Sequence, residues 1–213
     1  GLSAAHVQTF ALNGNNLYVG TFGNGVFSTS NGGTSWSAAN SGIDNLYVKT
    51  VVTTPSGLFT GTNWGTFQST NNGSSWSEVY KNFPSNKFSI SAIISNGGTL
   101  IAGTPDNGIY VSTDNGGTWT ARNSGITNQW ITSLASSDLG ILAGTSGGGV
   151  FLTTTNGASW TPINNGLTYK NISSLAVIGN KIFAGSAAGV FLFNPVTSVW
   201  SSVNSGLYTN VVT

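Results

Sequence analysis

Gly108-Ile-Tyr-Val-Ser-Thr-Asp-Asn-Gly-Gly-Thr-Trp119 is the clearest copy of a unit that occurs five times in this chain. A Gly opens a short apolar run, a polar turn follows, and a Trp stands eleven residues after the Gly. The other copies run from Gly25 to Trp36, Gly65 to Trp76, Gly149 to Trp160 and Gly189 to Trp200, all at the same spacing. A spacing held that strictly describes one supersecondary unit built five times.

Working outward, each repeat holds four strand-like runs. In the first they are Val7–Leu12, Leu17–Thr21, Gly25–Thr29 and Trp36–Asn40, separated by Gly- and Asn-rich turns. No segment carries a sustained helical period. The first run recurs as VQTFAL, VKTVVT, ISAIIS, ITSLAS and ISSLAV. Its third residue is always small (Thr9, Thr50, Ala92, Ser133, Ser174), which lets strands crowd a common axis. The second run carries a Gly in every copy (Gly20, Gly61, Gly103, Gly144, Gly185), marking a point of close packing. Four antiparallel strands per roughly 40 residues, repeated, predict an all-β, five-bladed β-propeller of four-stranded antiparallel blades. The repeated Trp are expected to be equivalent, buried and wedged between blades. Blades fall near residues 1–42, 43–86, 87–125, 126–166 and 167–206, in a single domain spanning 1–213. Successive Trp lie 40, 43, 41 and 40 residues apart, the long interval falling at Asn82–Lys87. Residues 207–213 read as a stub in phase with the N-terminus, and closure of five blades is favoured over a piece of a longer array.

Composition sets the outer limits. Charged residues are only 5% of the chain, against roughly 25% in an ordinary soluble protein. The formal net charge is +1, so there is no basic footprint for nucleic acid and no polybasic membrane signal. No apolar run approaches the ~20 residues of a membrane span. Cysteine is absent, which excludes a disulfide framework and a Cys zinc site. Few charges with abundant Asn, Ser, Thr and aromatics read as an exported domain, extracellular or at a bacterial cell surface. The chain starts at Gly1 without a signal peptide and reads as a mature fragment or an expressed piece.

The turn Ser112-Thr113-Asp114-Asn115-Gly116-Gly117-Thr118-Trp119 has the form S-x-D-x-G-x-T-W and resembles the Asp-box, or BNR repeat, of sialidase-type propellers. Asn31, Asn71 and Thr155 stand at the Asp114 position in three other copies, and Pro195 in the fifth. Asp or Asn suits such a turn, Gly supplies a positive φ, and the Trp anchors it in the core. One carboxylate among hydroxyls and amides makes a poor calcium cage, so no metal is assigned. Sialidases with this repeat hold a substrate carboxylate with three arginines. This chain has one, Arg122, so the resemblance does not extend to that activity.

Other chemistry is equally sparse. The acids are Asp44, Glu78, Asp106, Asp114 and Asp138, in different repeats and loop types, a poor basis for a paired-acid glycosidase. His6 is the only histidine and precedes the first strand, which leaves no Ser-His-Asp triad and no two-histidine metal site. Thr145-Ser-Gly-Gly-Gly149 leads into a strand, not a helix, and lacks the Lys of a phosphate loop. No catalytic residue and no cofactor is assigned.

Binding is the reading left. In a propeller the fourth-to-first and second-to-third loops emerge on one face. The residue before each first strand varies (His6, Tyr47, Ser89, Trp130, Asn171), as do the second-to-third loops (Phe22, Trp64, Asp106, Gly147, Ala188). Trp64 and Trp130 are the two Trp outside the repeated position. Trp64, Trp130, Tyr47, His6, Asn171 and Asp106 are the candidate ligand-binding residues, suited to stacking on a neutral glycan or holding a peptide. Unconstrained drift of these loops is the competing explanation. The expected function is a non-catalytic binding or adhesion module. The alternatives are an isolated or engineered scaffold without a ligand and a glycan-acting hydrolase with a degenerate site. Ligand, parent protein and oligomeric state are open at this level.

Overall fold

A computed structural model describes residues 1–2, 5–79, 82–83, 88–207 and 212. The insertion at 84–87 and most of the 207–213 stub lie outside the described residues. The first sheet comprises β1 (Val7–Asn13), β2 (Asn16–Thr21), β3 (Gly25–Thr29) and β4 (Ser37–Ala38). The second comprises β5 (Val48–Thr54), β6 (Gly57–Thr62), β7 (Gly65–Ser69) and β8 (Ser77–Glu78). The third is β9 (Ala92–Asn96), β10 (Thr99–Gly103), β11 (Ile109–Ser112) and β12 (Thr120–Ala121). The fourth is β13 (Ile131–Ser137), β14 (Gly140–Thr145), β15 (Gly149–Thr153) and β16 (Thr161–Pro162). The fifth is β17 (Ile172–Ile178), β18 (Lys181–Ser186), β19 (Gly189–Asn194) and β20 (Val199–Ser202). Strand order in every sheet follows chain order, as in a meander. Fourth strands are shorter than the sequence implies, two residues in four sheets, and in those four the Trp lies just before the strand.

The chain forms two compact units, Gly1–Ala102 with Val111–Thr120, and Gly103–Tyr110 with Ala121–Thr213. The same junction between consecutive sheets is built inside each. In the first unit, a Cβ on Gly61 would lie 2.5 Å from Ile90 Cγ2 and 2.9 Å from Thr50 Cγ2. In the second, Cβ atoms on Gly103, Gly144 and Gly185 would lie 2.5, 2.8 and 2.6 Å from Ile131, Ile172 and Val212. Thus the second-strand Gly is the seat for an Ile at or just before the start of the following sheet, and Gly185 receives Val212 in the same way. The small third residue of the first strand sits beside that Gly, Thr50 pairing Gly61 and Ser133 pairing Gly144, after a register shift typical of a bulge.

The Trp completes the junction. The indole N–H groups of Trp76 and Trp119 donate to the carbonyls of Ala39 (2.8 Å) and Val79 (3.1 Å) in the first unit. Those of Trp160 and Trp200 donate to Arg122 (3.0 Å) and Ile163 (2.5 Å) in the second. All four rings are buried, and each carbonyl belongs to the residue just after the fourth strand of the preceding sheet. The expectation that five Trp share one environment fails at Trp36, which is half-buried and, among the described residues, has no carbonyl on its indole N–H. Val7, which starts β1, is also only half-buried, whereas Val48, Ile90, Ile131 and Ile172 are buried. An equal place in the repeat thus does not give equal burial.

Each sheet also carries an Asn clamp four residues after the Trp, with one exception. Asn40, Asn123, Asn164 and Asn204 each accept the N–H of the second residue of the third-strand run at 2.7 Å. Their side-chain amides donate back across the same turn, to Asn24, Asn107, Gly148 and Ala188 carbonyls. The second repeat has Tyr80 there, outside the described residues.

Candidate functional site

The second-to-third loops are rigid by construction. A Thr or Ser at the end of each second strand, or just after it in the third sheet, donates its hydroxyl across the loop: Thr21 to the Gly25 carbonyl (2.7 Å), Thr104 to Gly108 (2.8 Å) and Thr145 to Gly149 (2.9 Å). In the second sheet Thr62 makes the matching bond to Gly65 and accepts the Trp64 N–H at 3.0 Å. Counted from these hydroxyls, Phe22 stands one residue earlier in its loop than Trp64, so the two are not equivalent.

Fourth-to-first loops lie against second-to-third loops within each unit. In the first unit Gly23 and Gly25 donate to the Leu46 carbonyl (3.1 and 2.9 Å), and Phe22 and Tyr47 form a β-bridge. The Phe22 N–H reaches the His6 carbonyl (2.9 Å), and the Asn63 N–H reaches the Tyr47 carbonyl (3.2 Å). His6, Phe22, Tyr47 and the Trp64 loop thus follow one another along a connected backbone. The Tyr47 N–H is further held by the side chain of buried Asn45 (3.2 Å). Phe22 and Tyr47 meet edge to face at 4.9 Å, His6 lies 6.2 Å from Phe22, and Lys49 Nζ sits 5.3 Å from the Phe22 centroid. Phe22, Tyr47 and Trp64 remain 48%, 42% and 49% exposed. Three large aromatic groups are therefore presented to water on a hydrogen-bonded framework.

The second unit repeats the scheme with other side chains. Gly108 donates to Gln129 (3.0 Å), placing the Asp106 loop beside Trp130. Asn128 accepts the Trp130 N–H (3.0 Å) and donates to the Ser146 carbonyl (2.9 Å). Ser146 bridges to Asn171, as Phe22 does to Tyr47. Trp130 is 57% exposed. Asp106 is exposed and accepts the Asn107 amide at 2.6 Å. Thr132, Ser146, Tyr169, Asn171 and Ala187 border a cleft of about 290 Å³. Of the sequence-derived candidates, His6, Tyr47 and Trp64 are thus brought together in the first unit, and Asp106, Trp130 and Asn171 follow one another in the second. Sequence reasoning missed the two asparagines, Asn45 and Asn128, that hold Tyr47 and Trp130. The signal was present as Asn two residues before each aromatic.

The repeated turn is occupied with its own structure. Asp114 Oδ1 accepts the Thr118 N–H (2.8 Å) and the Ser112 hydroxyl (2.8 Å), and Oδ2 accepts the Thr118 hydroxyl (2.7 Å). These bonds, the Thr118 hydroxyl first, lower its pKa to about 2. Asn71 makes the equivalent bond to the Ser75 N–H (2.9 Å) and Thr155 to Ser159 (3.1 Å). All five carboxylates are exposed. Among the described residues no cluster of three or more His, Cys, Asp or Glu could hold a metal, and no helix is long and apolar enough to cross a membrane.

The sequence matches no protein-family model and no curated protein. Its likeness is to solved propeller structures. An ancestral GH74 enzyme superposes with a TM-score of 0.77 at 22% identity, over 97% of this chain and 32% of that one. The extracellular domain of BT3049, assigned to a hybrid two-component system of B. thetaiotaomicron, gives 0.75 at 18% identity, over 92% of this chain and 29% of that one. YCF48 bound to D1 peptide gives 0.72 at 13% identity, over 97% and 69%. The chain spans about a third of the length of the first two. At these identities the likeness establishes the fold, an all-β propeller repeat of five four-stranded antiparallel sheets.

Proposed function

We propose that this protein is a non-catalytic binding module, built from Asp-box-type propeller repeats, that takes a neutral glycan or a peptide on its exposed aromatic loops. The observation that carries this reading is the ledge of Phe22, Tyr47 and Trp64, each about half exposed while fixed by backbone and Asn or Thr hydrogen bonds. Such rings offer large apolar area at low entropic cost on binding. In the second unit Trp130 and the cleft beside Asn171 form a separate surface of the same kind. The sparse charge favours a neutral ligand whose affinity depends weakly on salt.

Two of the structural neighbours add support, one being an extracellular domain and one a complex with a peptide. The same comparison favours an extracellular or cell-surface location. Against catalysis stands the chemistry of the acids. Asp114 is held ionised by the hydrogen bonds of its turn, the wrong direction for a general acid at neutral pH. Arrayed neutral oligosaccharides and peptides test the proposal. A hit lost in Trp64→Ala or Trp130→Ala with folding retained supports it. No hit on either array, or hydrolysis of a fluorogenic glycoside that is abolished by changing one acid, overturns it.

A further inference from the structure

Asn followed by Gly occurs nine times in this chain, and by sequence the nine pairs are alike. Asn is among the chemically labile residues. Before Gly, which has no side chain to crowd the approach, the Gly nitrogen can attack the Asn side-chain carbonyl carbon, Cγ. The attack needs an N–H free to give up its proton and a peptide free to turn. The structure divides the nine pairs on both counts.

Five of the Gly nitrogens are engaged. The N–H of Gly25 donates to the Leu46 carbonyl (2.9 Å) and that of Gly108 to Gln129 (3.0 Å). In the repeated turn, Gly73, Gly116 and Gly157 donate to the hydroxyls of Ser69 (2.8 Å), Ser112 (2.8 Å) and Thr153 (3.1 Å). A sixth pair, Asn165-Gly166, is pinned by Trp200. The Trp200 N–H bonds the Asn165 carbonyl (2.8 Å), and a Cβ on Gly166 would lie 2.3 Å from the Trp200 carbonyl oxygen. Gly14, Gly32 and Gly97 differ: among the described residues their N–H groups have no partner, and nothing lies within 4 Å of a would-be Cβ. Gly14 lies between β1 and β2, and Gly97 between β9 and β10. Gly32 is free for a reason internal to its turn. The Thr29 hydroxyl accepts the N–H of Asn31 (3.3 Å) and of Gly33 (3.1 Å) and skips the residue between them. Ser69, Ser112 and Thr153 skip the same place, but there it is filled by Asn72, Asn115 and Asn156, so the Gly that follows falls on the bonded N–H.

We infer that Asn13, Asn31 and Asn96 are sites of spontaneous deamidation in the folded protein, and that the fold protects the other six. The Gly nitrogen bonds to Asn Cγ and closes a five-membered succinimide. The Cγ–Nδ2 bond breaks, and Nδ2 leaves as ammonia with the proton that the Gly nitrogen gives up. Water then adds across one of the two ring C–N bonds, leaving aspartate or isoaspartate. At Asn31, Oδ1 accepts the Thr29 hydroxyl (2.8 Å) and the Ser35 N–H (3.0 Å), donors placed to carry the negative charge that develops on that oxygen. Its aspartate product puts a carboxylate where Asp114 stands in the third repeat. Each conversion adds an acid to a chain whose formal net charge is only +1. This inference is independent of the ligand reading.

Peptide-resolved mass spectrometry of the whole chain, incubated folded at mildly alkaline pH, tests this by reading each conversion as an exchange of NH2 for OH. Asn13, Asn31 and Asn96 should convert, and the other six roughly tenfold or more slowly, the effect of having to break a hydrogen bond first. In denaturant the nine rates should converge. Two variants test the turn itself. Gly32→Asn copies the second repeat, moves the Asn-Gly pair onto the Thr29-bonded nitrogen of Gly33, and should silence this turn. Ser69→Ala frees the Gly73 N–H and should start conversion at Asn72, with circular dichroism checking the fold. Should Ser69→Ala fail to fold, Gly32→Asn, at an exposed position, decides. Equal conversion of all nine in the folded chain, three pairs that stay amidated while the denatured chain converts, or an unchanged rate at Asn31 in Gly32→Asn overturns the proposal.

Discussion

Trp64 and Trp76 lie on either side of one strand, β7, and have opposite fates. Trp76 is buried, its indole bonded to the Ala39 carbonyl of the preceding sheet. Trp64 stands half exposed at a loop tip, its backbone fixed by Thr62. The first occurs in every repeat and the second in one. The junction between sheets demands a Trp at one position, whereas the loop would close equally well around the Asp106 or Gly147 found in other repeats. Residues that the repeat dictates carry the fold, and residues that depart from it on a hydrogen-bonded loop are where we propose recognition.

The largest effect that could break this contrast is loss of a junction Trp. Trp119→Ala, buried against Phe83 and bonded to Val79, should destabilise by roughly 3–5 kcal/mol, measured by denaturant unfolding. Trp36→Ala should cost less, about 1–2 kcal/mol, because its ring is only half-buried. Equal losses at the two sites would contradict this difference in burial. Next in size is Gly61→Ala. Its Cβ would meet the stiff, buried Ile90 at 2.5 Å, so overpacking of roughly 1–3 kcal/mol is expected in the same assay.

The smallest effect concerns Asp114. Its folded pKa, about 2, lies below its ordinary value of 3.8, so its contribution to stability is present above the ordinary value. That contribution is lost as pH falls toward 2. Asp114→Asn should fold well at neutral pH, as Asn31 and Asn71 already serve in equivalent turns. It should flatten the stability profile between pH 4 and 2, read from thermal unfolding at several pH values. An unchanged acid profile would mean that these bonds do not hold the carboxylate in solution.

Much of this fold was legible because a propeller repeat writes one junction into the sequence again and again. The eleven-residue Gly-to-Trp interval and the second-strand Gly were sufficient to place strands and close contacts. The half-buried state of Trp36 was not legible, since its own repeat keeps the same Gly-to-Trp interval as the others. The Asn clamp was overlooked because Asn in a turn reads as turn chemistry, although its constant distance from the Trp marked it as a partner. At the loops, departure from the repeat located exposed aromatics. It could not distinguish Phe22 from Trp64 in register, which required the hydrogen bonds of Thr21 and Thr62.

The most direct test of the account pairs folding with binding in Trp64→Ala. Because the ring is half exposed, the unfolding free energy should stay within about 0.5 kcal/mol of wild type. Binding to the oligosaccharide or peptide identified on the arrays should fall at least roughly tenfold, the loss of one stacking partner worth ~1.4 kcal/mol. Unfolding of the variant would make Trp64 a core residue, and unchanged binding in a folded variant would remove the aromatic ledge from recognition.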